Sequence, residues 1–320
     1  MKGFLAVLFV ACLVFAAGCQ LGPKVEFVKG VDKIDVLVDG NHFTSYLYGS
    51  ELTKPVLYPV HTPSGIAVNR SYPLNKVEGE STDHPHHVGI FFTYDEVNGS
   101  GFWNNTTSPP QVKHLKFTGI KPGPGKGTLS TLMNWVGADG GVVLSESRDM
   151  VFIAEPNGYA VDLNIKLRAV GQQVVFEDTK EGMFAIRVAD WLREDEGTGQ
   201  YLSSSGDRSP VNDNIWGKRA RWVSLQGQSD GRTVGLAIFN HPDSTNYPTY
   251  WHARPYGLFS ANPLGQYVFE KKRNPDDAKP FNLTLEPGQV ANFRFRVLVY
   301  EGSRTGEQLD KEFDEYAGGP

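Results

Sequence analysis

Short runs of alternating apolar and polar residues, cut at close intervals by tight-turn residues, constrain this chain more than any other feature. Lys33-Ile34-Asp35-Val36-Leu37-Val38 alternates, Asp39-Gly40-Asn41 turns, and 42–48 continues with β-branched and aromatic residues, which is a hairpin signature. Similar runs recur at 88–94, 127–136, 141–153, 159–168, 173–177, 183–190, 221–225, 233–239 and 291–300. Pro122-Gly123-Pro124-Gly125, Asp139-Gly140-Gly141, Pro156-Asn157-Gly158, Asp230-Gly231 and Pro287-Gly288 separate them. Strands joined by short turns, without helical stretches between them, predict an all-β chain. The expected form is a large antiparallel two-sheet β-sandwich with long loops. One short C-terminal helix is expected over 305–316, opened by Thr305 with Glu307 and Gln308 close behind.

The first residues read as an export signal. Lys2 precedes an apolar run over 4–15, too short to span a bilayer, and the run ends in Ala16-Ala17-Gly18-Cys19. That junction resembles a bacterial lipobox, with Ala16 where leucine is usual. The expectation is a signal over 1–18, lipid on Cys19, a short tether over 19–30 and a single sandwich domain over 31–320. Gln20, in place of the aspartate of an inner-membrane retention signal, favours the outer membrane, with the domain periplasmic or at the cell surface. The two cysteines are Cys12 and Cys19, so the mature domain has no disulfide, no cysteine–zinc site and no thiol nucleophile. Its core alone must hold it, which a domain of this length can do. The net charge is −5 and no block of Lys and Arg occurs, which argues against nucleic acid as a partner. Contact with the membrane is expected through the lipid only.

Three segments carry more His, Trp and Arg than turns require. The first is Asp83-His84-Pro85-His86-His87, followed by Phe102-Trp103; three of the eight histidines fall within it. Pro85 is expected to keep His84 extended, so that His84 and His86 share one face, as in His-x-His metal sites. General acid–base work is the other reading. The second is Trp216-Gly217-Lys218-Arg219-Ala220-Arg221-Trp222, whose ring faces and cations suit a sugar-binding wall or a self-stacked loop. The third runs from Asn240-His241-Pro242 through Tyr250-Trp251-His252-Ala253-Arg254-Pro255-Tyr256-Gly257 to Asn262. It reads as binding loops on a rigid scaffold. The expected catalytic set is His84, His86, His87, His252 and Arg254. The expected substrate-binding set is Trp103, Trp216, Lys218, Arg219, His241, Trp251, Tyr256 and Asn262. Glu181, Arg187 and Asp190 could add charge on one strand.

Tyr58-Pro59-Val60-His61-Thr62-Pro63-Ser64-Gly65, Asp83-His84-Pro85-His86-His87, Asp95-Glu96-Val97-Asn98-Gly99, Glu181-Gly182-Met183-Phe184, Trp216-Gly217-Lys218-Arg219-Ala220 and Trp251-His252-Ala253-Arg254-Pro255-Tyr256-Gly257 together resemble the bacterial PmoA family, labelled a methane oxygenase. Val88 stands where that family often has arginine. No spanning segment follows Cys19, so the resemblance implies a β-sandwich protein found beside sugar-processing genes rather than a membrane oxygenase. By architecture, a galactose-mutarotase-like supersandwich is one form such a sandwich takes.

The leading functional reading is therefore an enzyme acting on a small sugar or oligosaccharide, by lyase, hydrolase or epimerase chemistry. Histidine would serve as acid or base and Arg254 or Lys218 would stabilise an oxyanion. A glycosidase would want paired carboxylates, and these segments are rich in histidine instead. A non-catalytic glycan-binding lipoprotein is the second reading. A metal-dependent oxidoreductase, with copper or iron on His84, His86 and His252, ranks last because soft sulfur ligands are scarce. A divalent metal remains an open cofactor option.

Overall fold

A computed structural model describes residues 22–209 and 215–319. The signal segment and Cys19 lie outside the described residues.

Two large antiparallel sheets pack face to face. One has nine strands in the order Tyr250–Ala253, Leu258–Asn262, Gly182–Arg187, Ile90–Tyr94, Val56–Val60, Asn41–Leu47, Lys33–Val38, Lys24–Lys29 and Gly123–Pro124. The other has eight: Gln200–Ser203, Trp222–Ser229, Arg232–Asn240, Val290–Glu301, Gly158–Ala169, Val142–Glu155, Lys126–Val136 and Gln111–Lys121. Register shows why the sequence alternates. Leu129, Met150, Leu163 and Phe295 form one row across four strands of the second sheet, and all four are buried. The adjacent row is Ser130, Asp149, Asn164 and Arg294, on the opposite face. Phe293 and Phe295 meet Phe92 and Phe184 of the first sheet, with ring centroids 5.6 and 4.6 Å apart. Each such side chain contributes roughly 1.5–3 kcal/mol by leaving water.

The strand Ile90–Tyr94 does not alternate: all five residues are buried. Loops cover its outer side, where Phe91, Trp103, Ala185, Leu258 and Val56 form a second apolar cluster. That layer is the foundation of the site described below.

The C-terminal helix forms as expected, over Gly306–Gly318, with the Thr305 hydroxyl and the Gln308 side chain completing a reciprocal cap. Leu309, Phe313 and Tyr316 share one face and pack on Trp222, Phe239 and Leu298. Three segments depart from the sequence expectation. Residues 24–29, expected in the tether, form a strand paired with Lys33–Val38, and Val25 is fully buried. The third His/Trp-rich segment, expected as loops, is a hairpin: Tyr250–Ala253 pairs with Leu258–Asn262 at the sheet's end. Its Trp, Tyr and Phe residues are strand formers because they fit a half-buried pleated surface. Asp190, expected on one strand with Arg187, instead opens a short 3-10 turn, Asp190–Leu192.

Candidate functional site

A cavity of about 360 Å³ opens on the outer side of the nine-stranded sheet. Its walls are His84, His86, His87, Trp216, His252, Arg254 and Tyr256, with Asn104, Lys180 and Glu181. The first and third segments, far apart in sequence, therefore meet.

The histidine segment is a turn and not an extended run. His84 has φ +45°, in the left-handed region, and the His87 N–H donates to the His84 carbonyl at 3.0 Å. Histidine enters this region more readily than most residues, and two buried arginines hold it there. Arg70 Nη1 and Arg187 Nη2 both donate to Asp83 Oδ1, at 2.8 and 2.6 Å. Arg70 Nη2 also donates to the His84 carbonyl at 3.1 Å. Asp83 Oδ2 binds His84 Nδ1. Burial pushes the Asp83 carboxyl up, but the His84 hydrogen bond and the Arg187 and Arg70 charges outweigh it and hold the carboxyl at about 2. Asp83 is thus ionised and accepts the proton that His84 carries on Nδ1. Nε2 is then the atom able to take a proton.

The other imidazoles stack around His84. The His87 ring lies parallel to it with centroids 4.9 Å apart, and His86 meets His87 edge-on at 4.3 Å. Burial, reinforced by the Lys54 cation, lowers His86 to about 4. Burial also lowers His87 well below the ordinary histidine range, with its histidine neighbours adding to the effect. Both rings are neutral at pH 7. Both nitrogens of His87 are buried without a hydrogen-bond partner.

The hairpin turn supplies the opposite wall. Pro255 sets its first corner and Gly257, at φ +96°, closes it through a hydrogen bond from the Gly257 N–H to the Arg254 carbonyl. A side chain at Gly257 would press on Arg193 and Val188. The turn lays Tyr256 flat on His84, centroids 4.8 Å apart, and sets the Arg254 guanidinium 5.9 Å from both the Trp216 and Tyr256 rings. His252 Nδ1 donates to the Lys180 carbonyl at 2.9 Å, and Trp216 stands edge-on to its ring at 6.3 Å. The loop bearing Lys180 and Glu181 is fixed at three further points. The Tyr94 hydroxyl donates to the Glu177 carbonyl at 2.8 Å, the Thr179 N–H donates to the Tyr94 oxygen at 3.1 Å, and Asn262 Nδ2 donates to the Thr179 carbonyl at 2.9 Å. Lys180 and Glu181 form an ion pair at the cavity.

Several expected contacts lie elsewhere. Trp103 is fully buried behind His87, ring centroids 5.8 Å apart, and backs the wall without lining it. Lys218 binds Asp207 at 2.6 Å. Arg219 lies 4.1 Å over the Tyr250 ring and donates to the Pro248 carbonyl, so it braces a loop. Trp251 is a core residue whose Nε1 donates to the Ala220 carbonyl. His241 is buried against Tyr316, under the C-terminal helix. Asn262 holds backbone rather than ligand: its Oδ1 accepts from the Leu264 and Gly265 N–H groups. In each case an aromatic, cationic or amide side chain finds a partner within the fold, which spacing along the chain does not reveal. Asn104 and Lys180 were missed. Lys180 adjoins the Glu181-Gly182-Met183-Phe184 motif, and Asn104 follows Trp103. Among the described residues no group of three or more His, Cys, Asp or Glu side chains is arranged to hold a metal ion. The expected set of His84, His86 and His252 is thus not so arranged.

No curated protein matches the chain. Among solved structures, the chain is similar to the GH36 α-galactosidase AgaB of Geobacillus stearothermophilus, at 10% identity and TM-score 0.44, over 88% of this chain and 41% of that one. A galactose mutarotase related enzyme from Lactobacillus acidophilus is similar over 88% of this chain and 98% of its own, at 11% identity and TM-score 0.35. The galactosidase domain of the α-galactosidase-sucrose kinase AgaSK gives 10% identity and TM-score 0.43, over 87% and 42%. This chain therefore spans about two fifths of the α-galactosidase it resembles. The resemblance to the PmoA family is not upheld, because the model that matches is a different description and covers most of the domain. Over residues 33–314 the chain matches, and so belongs to, the family of unknown function DUF6807.

Proposed function

We propose that the cavity is the active site of an exported, lipid-anchored enzyme that moves a proton on a carbohydrate, with His84 as general acid–base and Asp83 as its orienting carboxylate. The observation that carries this reading is the Asp83–His84 pair, its carboxylate held by two buried guanidinium groups. Such a pair fixes the tautomer and stabilises the imidazolium that forms when Nε2 accepts a proton. The cavity volume suits a monosaccharide-sized ligand. Neutral His86 offers one donor and one acceptor, the pattern that a sugar hydroxyl complements. Trp216 and Tyr256 add apolar ring surface to the cavity wall, which suits the C–H side of a sugar ring. Glu181 is the one cavity-lining carboxylate among the described residues, whereas a glycosidase needs two flanking the bond. The favoured chemistry is removal of a C–H proton beside a carbonyl. The electron pair passes to the carbonyl oxygen, near Lys180 and Arg254; it then returns to the carbon, which takes a proton on its opposite face to give the epimer, or it expels the oxygen substituent on the β carbon, which leaves protonated, to give the elimination product.

The test is incubation with a panel of neutral hexoses and hexuronates in D₂O, followed by proton NMR. The expected result is carbon-bound deuterium in one substrate, lost in His84→Asn. A ligand that binds without exchange or product would overturn the enzyme reading and leave a glycan-binding protein. Export and anchoring rest on Ala16-Ala17-Gly18-Cys19.

A further inference from the structure

A second histidine pair lies on the outer face of the nine-stranded sheet, sharing no residue with the cavity. His42 is on the strand Asn41–Leu47, and His61 directly follows Val56–Val60. Their Nδ1 atoms face each other at 3.1 Å, with the rings 69° apart. Behind His42 stands a chain of polar groups. Lys33 Nζ lies 3.0 Å from Asp35 Oδ1, the Ser45 hydroxyl donates to that oxygen at 2.5 Å, and Ser45 Oγ lies 2.8 Å from His42 Nε2.

We propose that His42 and His61 bind one divalent transition cation, zinc or copper(II), through their two Nδ1 atoms. The polar chain dictates the chemistry of His42. A lysine-paired carboxylate only accepts, so the Ser45 proton points to Asp35. Ser45 Oγ must then accept from His42, which places the His42 proton on Nε2 and a lone pair on Nδ1. That lone pair aims at His61. Fixing the far nitrogen of a ligating imidazole through a carboxylate-backed hydrogen bond is how metal-binding histidines are oriented. The spacing fits as well. Metal–nitrogen bonds of about 2.0–2.1 Å, at angles of roughly 90–110°, put adjacent ligand nitrogens about 2.9–3.4 Å apart. Two imidazoles suit zinc and copper(II), with copper the tighter. On binding, His61 moves its proton from Nδ1 to Nε2 through solvent, with no net release from the neutral pair. The His42 side chain is 32% exposed, so a cation reaches the pair from water, and water or an added ligand completes the coordination.

The experiment titrates zinc(II) and copper(II) into chelator-treated protein, by calorimetry and by electron paramagnetic resonance. The expected result is one equivalent bound, copper more tightly than zinc, with two nitrogens coupled to copper. Binding is lost in His42→Gln and in His61→Gln, each with an unchanged metal-free melting curve, and Ser45→Ala weakens it about 10–100-fold. His86→Gln leaves it intact. No stoichiometric site in the native protein, binding that survives either glutamine substitution, or loss of binding in His86→Gln would each overturn the proposal. Should a glutamine variant unfold, the nitrogen count on native protein together with the Ser45→Ala shift decides the matter.

Discussion

Stability, but not activity, should distinguish two adjacent residues, Asp83 and His84. Asp83 is the carboxylate shared by Arg70 and Arg187, whose side chains are both fully buried. Asp83→Asn keeps the shape and removes the charge. Arg70 retains the His84 and His87 carbonyls, but Arg187 already has Nε and Nη1 without partners. Stranding buried cations costs roughly 3–5 kcal/mol. The Asp83 side chain is 40% exposed, so solvent screens part of this, and the expected cost is about 2–3 kcal/mol. His84→Asn removes a side chain that is 41% exposed and mainly stacks on Tyr256 and His87. Its expected cost is about 1 kcal/mol or less. Both substitutions should lower activity by about 10²–10⁴. Urea denaturation at pH 7, followed by tryptophan fluorescence, gives the first comparison. In an Arg187→Met background, Asp83→Asn should cost at least about 1 kcal/mol less than in the native chain. If Asp83→Asn lies within about 0.5 kcal/mol of native, or if His84→Asn costs as much as Asp83→Asn, the charge argument fails.

Acid should destabilise the fold through His86. Its folded value is about 4 against an ordinary 6.5, so the unfolded chain binds a proton that the native state refuses. The stability is complete above about 6.5 and is lost as pH falls toward 4, by roughly 1–2 kcal/mol between pH 7 and 5. His86→Asn should remove that part of the slope in denaturation curves, and an unchanged slope would refute the assignment. Phe313→Ala, in the cluster under the C-terminal helix, should cost about 3–5 kcal/mol. Residual activity per folded molecule should be unchanged, since the helix packs on the other sheet; a comparable loss of turnover would contradict that separation. Cys19→Ser should move the protein from the membrane fraction to the soluble fraction, and palmitate still entering the variant would show that the acylation site lies elsewhere.

Local pattern was sufficient wherever a segment's chemistry is settled by its own neighbours. The alternation at 33–38 forms one strand, the Asp39-Gly40 turn follows it, and the cap at Thr305 opens its helix, because each depends on contacts within a few residues. It failed at 24–29, where the alternation is brief and pairing with the next strand decides the outcome. It also failed at 250–262, where residues concentrated as if for a loop are strand formers at the end of a sheet.

The site divides the same way. The sequence by itself marked His84, His86, His87, His252, Arg254, Trp216 and Tyr256 as unusual, because clustered imidazoles and tryptophans are more than turns require. Only the tertiary structure decided which of the marked residues share a space. His241, Trp251 and Arg219 carry the same chemistry, yet each is consumed by an internal partner: Tyr316, the Ala220 carbonyl and Tyr250. The tertiary structure alone also supplied Arg70, and it alone joined Arg187 to Asp83. Arginines this deeply buried are held only by a partner charge that the fold delivers from elsewhere in the chain, here Asp83 from 13 and 104 residues away. Residue type decides what a side chain can do; whether it faces a ligand or its own fold is decided by which strands and loops become neighbours.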